Sequence, residues 1–339
     1  MMAADRSNTL LTARDFQSTQ INDWCAGCGD HGILRGLEKA LALLGCSPDE
    51  VAVFGGIGCS GKTPYYLNSY GVHTLHGRLV PYAMGAKLAN PDLTVIAVGG
   101  DGDGLSIGAG HFVNAGRRNL DMTYILFNNG VYGLTKGQYS PTTPPGIRTL
   151  SSPDGSIENP VNPVGVAIGS EAGFIARTVD VFQKHMAGVL RRAAGHRGAS
   201  LVEIAQNCII FNDGAWSHLT DPDKRLENVL YLEHGQPMRF GRQGEKGIRL
   251  NGLRPEVVDV AEVGEENLLV HDEQAAEPTL AYLLSRMGPP DFPTPVGVFR
   301  AVDKPVYSGQ LLAQVHEAQA RAAPDIDALY RKGETWEVD

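Results

Sequence analysis

Along the first two thirds of the chain, short apolar runs rich in β-branched residues alternate with longer stretches whose apolar positions recur at helical spacing. Val51 to Phe54, Thr94 to Val98, the run ending at Asn128-Asn129-Gly130, Phe174 to Thr178 and Leu201 to Ala205 are apolar almost throughout. Strands covered on both faces read this way. Between them, Ile33, Leu34, Leu37, Ala40, Leu41 and Leu44 set a helix that Asp30 would cap and Gly45 would end. Further helices are predicted over Tyr82 to Ala89, between Asp103 and the Asn-Asn end, from near Val164, and over Val181 to Ala194. Alternation of this kind predicts an α/β fold with a doubly wound, mostly parallel sheet.

Beyond about Asp213 the pattern changes. One short strand at Leu268 to Val270, a helix at Leu280 to Met287, a proline cluster from Pro289 to Pro295 and a charged helix near Gln310 to Arg321 are all that the tail offers. The expected division is an N-terminal arm over 1–20 that wraps a surface or partner, a core domain over 21–213, and an irregular extension over 214–339 for subunit packing.

Length leaves one large domain or two ordinary ones open, but charge narrows the partners. A formal charge of −9 argues against nucleic acid or an anionic membrane as the main partner. No basic leader precedes an apolar stretch and no run of 18 apolar residues occurs, so the expectation is a cytoplasmic protein without a membrane span. The five cysteines are expected to be thiols, metal ligands or redox groups rather than a disulfide framework.

The chemistry concentrates in VGGDGDGLSIGAGHFVNAGRRNLDMTYILFNNGVYGLTKGQ, residues 98–138, which reads as a βαβ unit with oxygen ligands at both strand ends. Ligands of parallel sheets lie beyond the carboxyl ends of strands, so Asp101 and Asn129 are expected side by side there. A carboxylate with an amide oxygen suits Mg2+, and the glycines admit backbone NH groups to a diphosphate. Cys25 and Cys28 form a CxxC pair at a helix start, and Cys59 and Cys208 each follow a strand at the same predicted sheet edge. Four thiols meeting there would bind Zn2+ or a 4Fe-4S cluster, and ligand type does not choose between the two. Cys46 reads as a small apolar residue past a helix end.

Taken together, GGDGDGLSIG, NNGVYGLTKGQ, DWCAGCGD, GGIGCSGK, VEIAQNC and HGRLVPYAMGAKLANPDLTVI resemble the β subunit of 2-oxoacid:ferredoxin oxidoreductases, over about two thirds of the chain. The resemblance implies the diphosphate-binding half of a thiamine diphosphate fold. It implies a 4Fe-4S cluster on Cys25, Cys28, Cys59 and Cys208, and Mg2+ on Asp101, Asn129 and the Val131 carbonyl. Gly102 and Asp103 would lie beside the diphosphate, with Ile57, Gly58, Cys59, Ser60, Gly133 and Leu134 lining the cofactor. Asp103 could equally cap the following helix.

The activity implied is coenzyme A-dependent oxidative decarboxylation of a 2-oxoacid, reversible as reductive carboxylation, with ferredoxin as electron acceptor. An α subunit would carry the missing pyrimidine-binding domain, in a heterodimer or a dimer of heterodimers. His76 resembles a position near the reacting centre, where it could move protons or hold the substrate carboxylate, and an ordinary hydrogen-bonded histidine is the alternative. Lys62 and Lys136 sit in glycine-rich loops, and two ammonium groups there would suit a dicarboxylic substrate. The family associates the lysine matching Lys136 with 2-oxoglutarate and other larger 2-oxoacids, so 2-oxoglutarate is preferred here over pyruvate or a broad range of 2-oxoacids. A non-redox thiamine diphosphate-dependent decarboxylase or synthase would share Asp101 and Asn129 but has no use for the cysteines, whereas a zinc-bound scaffold would explain the cysteines alone.

Overall fold

Alternate residues of the central strands divide between two hydrophobic cores, one on each face of a single sheet. Ala52, Phe54, Val95, Ala97, Tyr124 and Leu126 belong to one core, and Val51, Val53, Ile96, Val98, Ile125 and Phe127 to the other. This follows from the two-residue period of a strand and explains why these runs are apolar throughout. The computed structural model describes residues 10–338.

In chain order the elements that position the site are α1 (Gly29–Leu44), β1 (Val51–Gly55), β2 (Tyr70–His73), α2 (Leu79–Ala89), β3 (Thr94–Gly100), α3 (Ala109–Arg117) and β4 (Met122–Asn128). They continue with α4 (Pro163–Gly169), β5 (Phe174–Val179), α5 (Gln183–Gly195), β6 (Ala199–Ala205), β7 (Val229–Leu232) and β8 (Thr294–Ala301). The sheet has eight strands in the order β2-β1-β3-β4-β6-β5-β8-β7, and the pairs from β2 to β5 are parallel. Helices α1 and α5 cover one face through Ile33, Leu37, Leu41, Met186 and Leu190. The other face is covered by α2, α3 and α4 through Leu79, Ala83, Phe112, Ala115, Val164 and Ile168. The doubly wound, mostly parallel sheet expected from the sequence is therefore present. No helix among the described residues is long and apolar enough to cross a membrane.

Three local expectations are corrected. The cap of α1 is Cys28, not Asp30, which sits inside the first turn and is 1% exposed. Gly45 ends the helix in the left-handed conformation, as expected. No strand forms over Leu268 to Val270. Val270 makes only an isolated bridge to Pro237, while Leu269 bonds across to Met238 and Ile248. Leu201 to Ala205 is not the last strand of the sheet, because β8 adds antiparallel to β5 and β7 follows on the outside. Two strands beyond residue 213 thus complete the sheet, and β8 begins within the proline cluster, at Thr294. A separate antiparallel sheet forms over Arg239–Phe240, Lys246–Asn251 and Arg254–Asp259. Of the N-terminal arm, residues 1–9 lie outside the described residues. Phe16 is fully buried in the core beneath α1.

Candidate active site

The carboxyl ends of β1, β3, β4 and β6 converge on two neighbouring cavities. One, of about 210 Å³, is lined by the loops after β1, β3 and β4. Asp101, Gly102, Asp103, Asn129 and Val131 face it from two of these loops, and Ile57 to Ser60 from the third. Gly133, Leu134, His76, Tyr132 and Asp30 also line it. Asp101 and Asn129 come together because β3 pairs with β4 in register, Gly100 lying opposite Phe127.

Asp101 is 1% exposed, and burial raises its pKa above the usual carboxylate range. Hydroxyl donors oppose that shift: Ser140 hydrogen-bonds Asp101 Oδ2, and Thr142 Oγ1 lies 2.6 Å from the same oxygen. Thr142 is also 2.9 Å from Asn128 Oδ1, Asn128 donates to Glu203 at 2.7 Å, and Glu203 pairs with Arg177 at 2.8 Å. A buried chain of polar groups therefore runs from an ion pair between strands to the carboxylate at the cavity. Asn129 Oδ1 accepts the Val131 amide at 3.1 Å and keeps a second lone pair. The donor set of Asp101, Asn129 Oδ1 and the Val131 carbonyl is all oxygen and fits Mg2+. Asp103 does not cap the following helix. Its Oδ1 accepts the Ile57 amide at 3.0 Å and the Gly77 amide at 2.7 Å, and lies 2.8 Å from His76 Nδ1.

The second cavity, of about 390 Å³, is lined by Cys25, Cys28, Cys59 and Cys208 together. Cys28 and Cys25 reach it from the start of α1, Cys59 from the loop after β1 and Cys208 from beyond β6. Cys59, Gly133 and Leu134 line both cavities and form the wall between them. A Cβ on Gly133 would lie 3.5 Å from Cys208 Sγ and 3.9 Å from Cys59 Sγ, so the glycine backs directly onto two of the thiols. Burial pushes the Cys59 thiol up to about 11, with Asp30 and Cys208 adding to it, and pushes Cys28 further still. Thiols held this way stay protonated until a cationic centre stabilises the thiolates. Among the described residues, no three His, Cys, Asp or Glu side chains are close enough to hold one metal ion. Four cysteines on one cavity are the ligand type of zinc and of iron–sulfur groups alike.

Lys62 and Lys136 line the cysteine cavity and not the smaller one. Lys62 Nζ is 2.9 Å from Asp23 Oδ2, and this contact raises its pKa. Asp23 is held in turn by the Tyr66 hydroxyl. Lys136 is exposed, with backbone φ of 82°, and no carboxylate pairs with it among the described residues. Sequence reading missed Asp23, Ser140, Thr142 and the residues beneath the thiols. Gln206 donates to Cys28 Sγ at 3.3 Å, and Asp30 is pushed up to about 7 by burial against a hydrogen bond from Cys28, with Asp180 adding to the rise. The one available signal was the hydroxyl-rich SPTTP run at 140–144, ten residues beyond the Asn-Asn strand end.

Residues 45–204 match the family of thiamine pyrophosphate enzymes through its C-terminal TPP-binding domain. The 2-oxoglutarate oxidoreductase subunit KorB of Mycobacterium tuberculosis is 44% identical over 331 residues, covering 96% of this chain and 88% of the relative. The chain belongs to the β subunits of 2-oxoacid:ferredoxin oxidoreductases. A family member of the same kind from Saccharolobus solfataricus is 50% identical over 194 residues, covering 57% of this chain and 64% of that protein. A solved 2-oxoglutarate:ferredoxin oxidoreductase from Magnetococcus marinus, with 2-oxoglutarate, coenzyme A and succinyl-CoA bound, superposes with a TM-score of 0.76 at 32% identity. That match covers 96% of this β subunit and 97% of the solved chain. The β subunit is thus part of an oxidoreductase, and every lining residue of its 210 Å³ cavity named above except Asp30 falls within the matched TPP-binding domain.

Proposed function

We propose that this β subunit serves coenzyme A-dependent oxidative decarboxylation of 2-oxoglutarate to succinyl-CoA and CO2, with electrons passing through one 4Fe-4S cluster to ferredoxin. The reaction is reversible as reductive carboxylation. The observation that carries the reading is the shared wall: Cys59, Gly133 and Leu134 border both the oxygen-lined cavity and the four-thiol cavity. A seat for a carbanion-forming cofactor beside a seat for an electron acceptor is what one-electron oxidation of a 2-oxoacid requires.

Thiamine diphosphate, when bound, supplies the bond-breaking chemistry at the keto carbon. Asp101, Asn129 and the Val131 carbonyl would hold the Mg2+ that neutralises its diphosphate, and Gly102, Ile57 to Ser60, Gly133 and Leu134 would line the cofactor. Cys25, Cys28, Cys59 and Cys208 would hold the cluster, which would supply one-electron acceptance beside the cofactor. His76 accepts or returns a proton at the cavity. Lys62 is already neutralised by Asp23, which leaves Lys136 as the cation for the distal carboxylate of the substrate. The ring end of the cofactor needs an α subunit with the pyrimidine-binding domain, in a heterodimer or dimer of heterodimers in the cytoplasm. The stretch over 214–339 packs against that subunit with the part that lies outside the sheet.

The test is reduction of a viologen dye by the anaerobically assembled complex with coenzyme A and either 2-oxoglutarate or pyruvate. Faster turnover of 2-oxoglutarate is expected. Faster turnover of pyruvate overturns the substrate assignment, and no turnover of either overturns the reaction.

A further inference from the structure

We propose that Asp103 is a positioning residue that fixes His76 in one tautomer, with the proton on Nδ1 and the lone pair of Nε2 left to the cofactor cavity. The inference rests on the cofactor reading above but concerns groups that this chain supplies alone. Asp103 is a fully buried side chain in the turn after β3. Its Oδ1 already accepts two backbone N–H groups, from Gly77 at 2.7 Å and Ile57 at 3.0 Å. Two fixed donors on a single oxygen hold it as an acceptor, so the hydrogen in its 2.8 Å contact with His76 Nδ1 belongs to the imidazole. Neutral imidazole carries one N–H, so Nε2 becomes the acceptor.

The ring is placed as well as protonated. His76 is half-exposed, lines the 210 Å³ cavity, and meets Tyr132 edge-on with ring centres 6.3 Å apart. Among the described residues Asp103 provides its only hydrogen bond. The fold also makes room for the carboxylate: a Cβ on Gly56 would lie 2.1 Å from Asp103 Oδ2. One buried group thereby ties the loop that lines the cofactor cavity at Ile57 to the loop that carries His76. When Nε2 takes a proton from a group bound in the cavity, the same carboxylate stabilises the imidazolium, as the buried aspartate of a catalytic triad does.

Two measurements on the assembled complex decide the matter. In the double-mutant cycle, His76→Ala and Asp103→Asn should each lower kcat by about 100-fold with KM for the 2-oxoacid nearly unchanged. The double variant should be no slower than the slower single, because both remove one device. Losses that multiply would show that Asp103 acts through the Ile57 loop instead and overturn the proposal. Neutron diffraction from crystals of the unmutated complex reads the tautomer without any substrate. Deuterium on Nδ1 facing Asp103 is expected, and deuterium on Nε2 alone overturns the proposal. If the complex turns over no 2-oxoacid, the functional reading falls while the neutron result still decides the tautomer.

Discussion

In the smaller cavity Asp101 is held by two hydroxyls and Asp103 by two amides, whereas in the larger cavity burial raises the Cys28 and Cys59 thiols. On the proposed reading the first is preorganised to take a cation and a diphosphate with little rearrangement. The second is costly to ionise as it stands, because burial raises the Cys28 and Cys59 thiols and Asp30, on the lining of the smaller cavity, raises both further; a bound cationic group offsets that. The contrast teaches that the two halves of the site should fail in different ways: the thiol side in an all-or-none manner, the oxygen side by degrees.

The largest expected effect is on the thiol side. Cys208→Ser should lose the bound iron and dye reduction altogether while magnesium-dependent thiamine diphosphate binding persists, as read by metal analysis and calorimetry on the assembled complex. Retention of full iron content would break the comparison. Next, Asp101→Asn should keep iron but weaken cofactor binding by more than about 100-fold, since loss of an outer partner alone typically costs about 10- to 100-fold. Thr142→Val removes one hydroxyl from Asp101 and leaves the rest of the buried chain from Arg177 in place. It should raise the Mg2+ concentration needed for half-maximal activity by about 10-fold, within the range of outer-shell losses. An unchanged requirement would show that Ser140 alone orients the carboxylate.

The smallest effect lies away from both cavities. Burial pushes His185 down to about 4, where Thr178 Oγ1 contacts its Nδ1 at 2.8 Å. The folded chain keeps this imidazole neutral, while the unfolded chain takes a proton below its ordinary value of about 6.5. Its contribution to stability is therefore complete above that value and is lost progressively as pH falls toward 4. Thermal unfolding of His185→Gln should lose part of this acid sensitivity, and a slope identical to that of the unmutated protein would rule His185 out.

How far the sequence disclosed this follows the same division. The βαβ unit around Asp101 and Asn129 is local: strand, turn and strand occur in order, so period and turn residues disclosed it. The four cysteines come from three separate segments, yet each follows a strand end or opens a helix, so topology carried them to one edge. Strand β8 stayed hidden because it starts among prolines and joins the sheet antiparallel, a pairing that no local pattern specifies. The Lys62 and Asp23 pair was equally out of reach, because 39 positions separate its members and no local pattern joins them.

The central claim is that the two cavities work as one device across the wall of Cys59, Gly133 and Leu134. It is tested most directly by electron paramagnetic resonance on the anaerobic complex given 2-oxoglutarate and coenzyme A without any external acceptor. The account predicts the signal of a reduced 4Fe-4S cluster in the unmutated complex and its absence in Asp101→Asn, whose iron content is unchanged. A complex holding zinc instead of iron, or an iron signal that substrate does not alter, would contradict it.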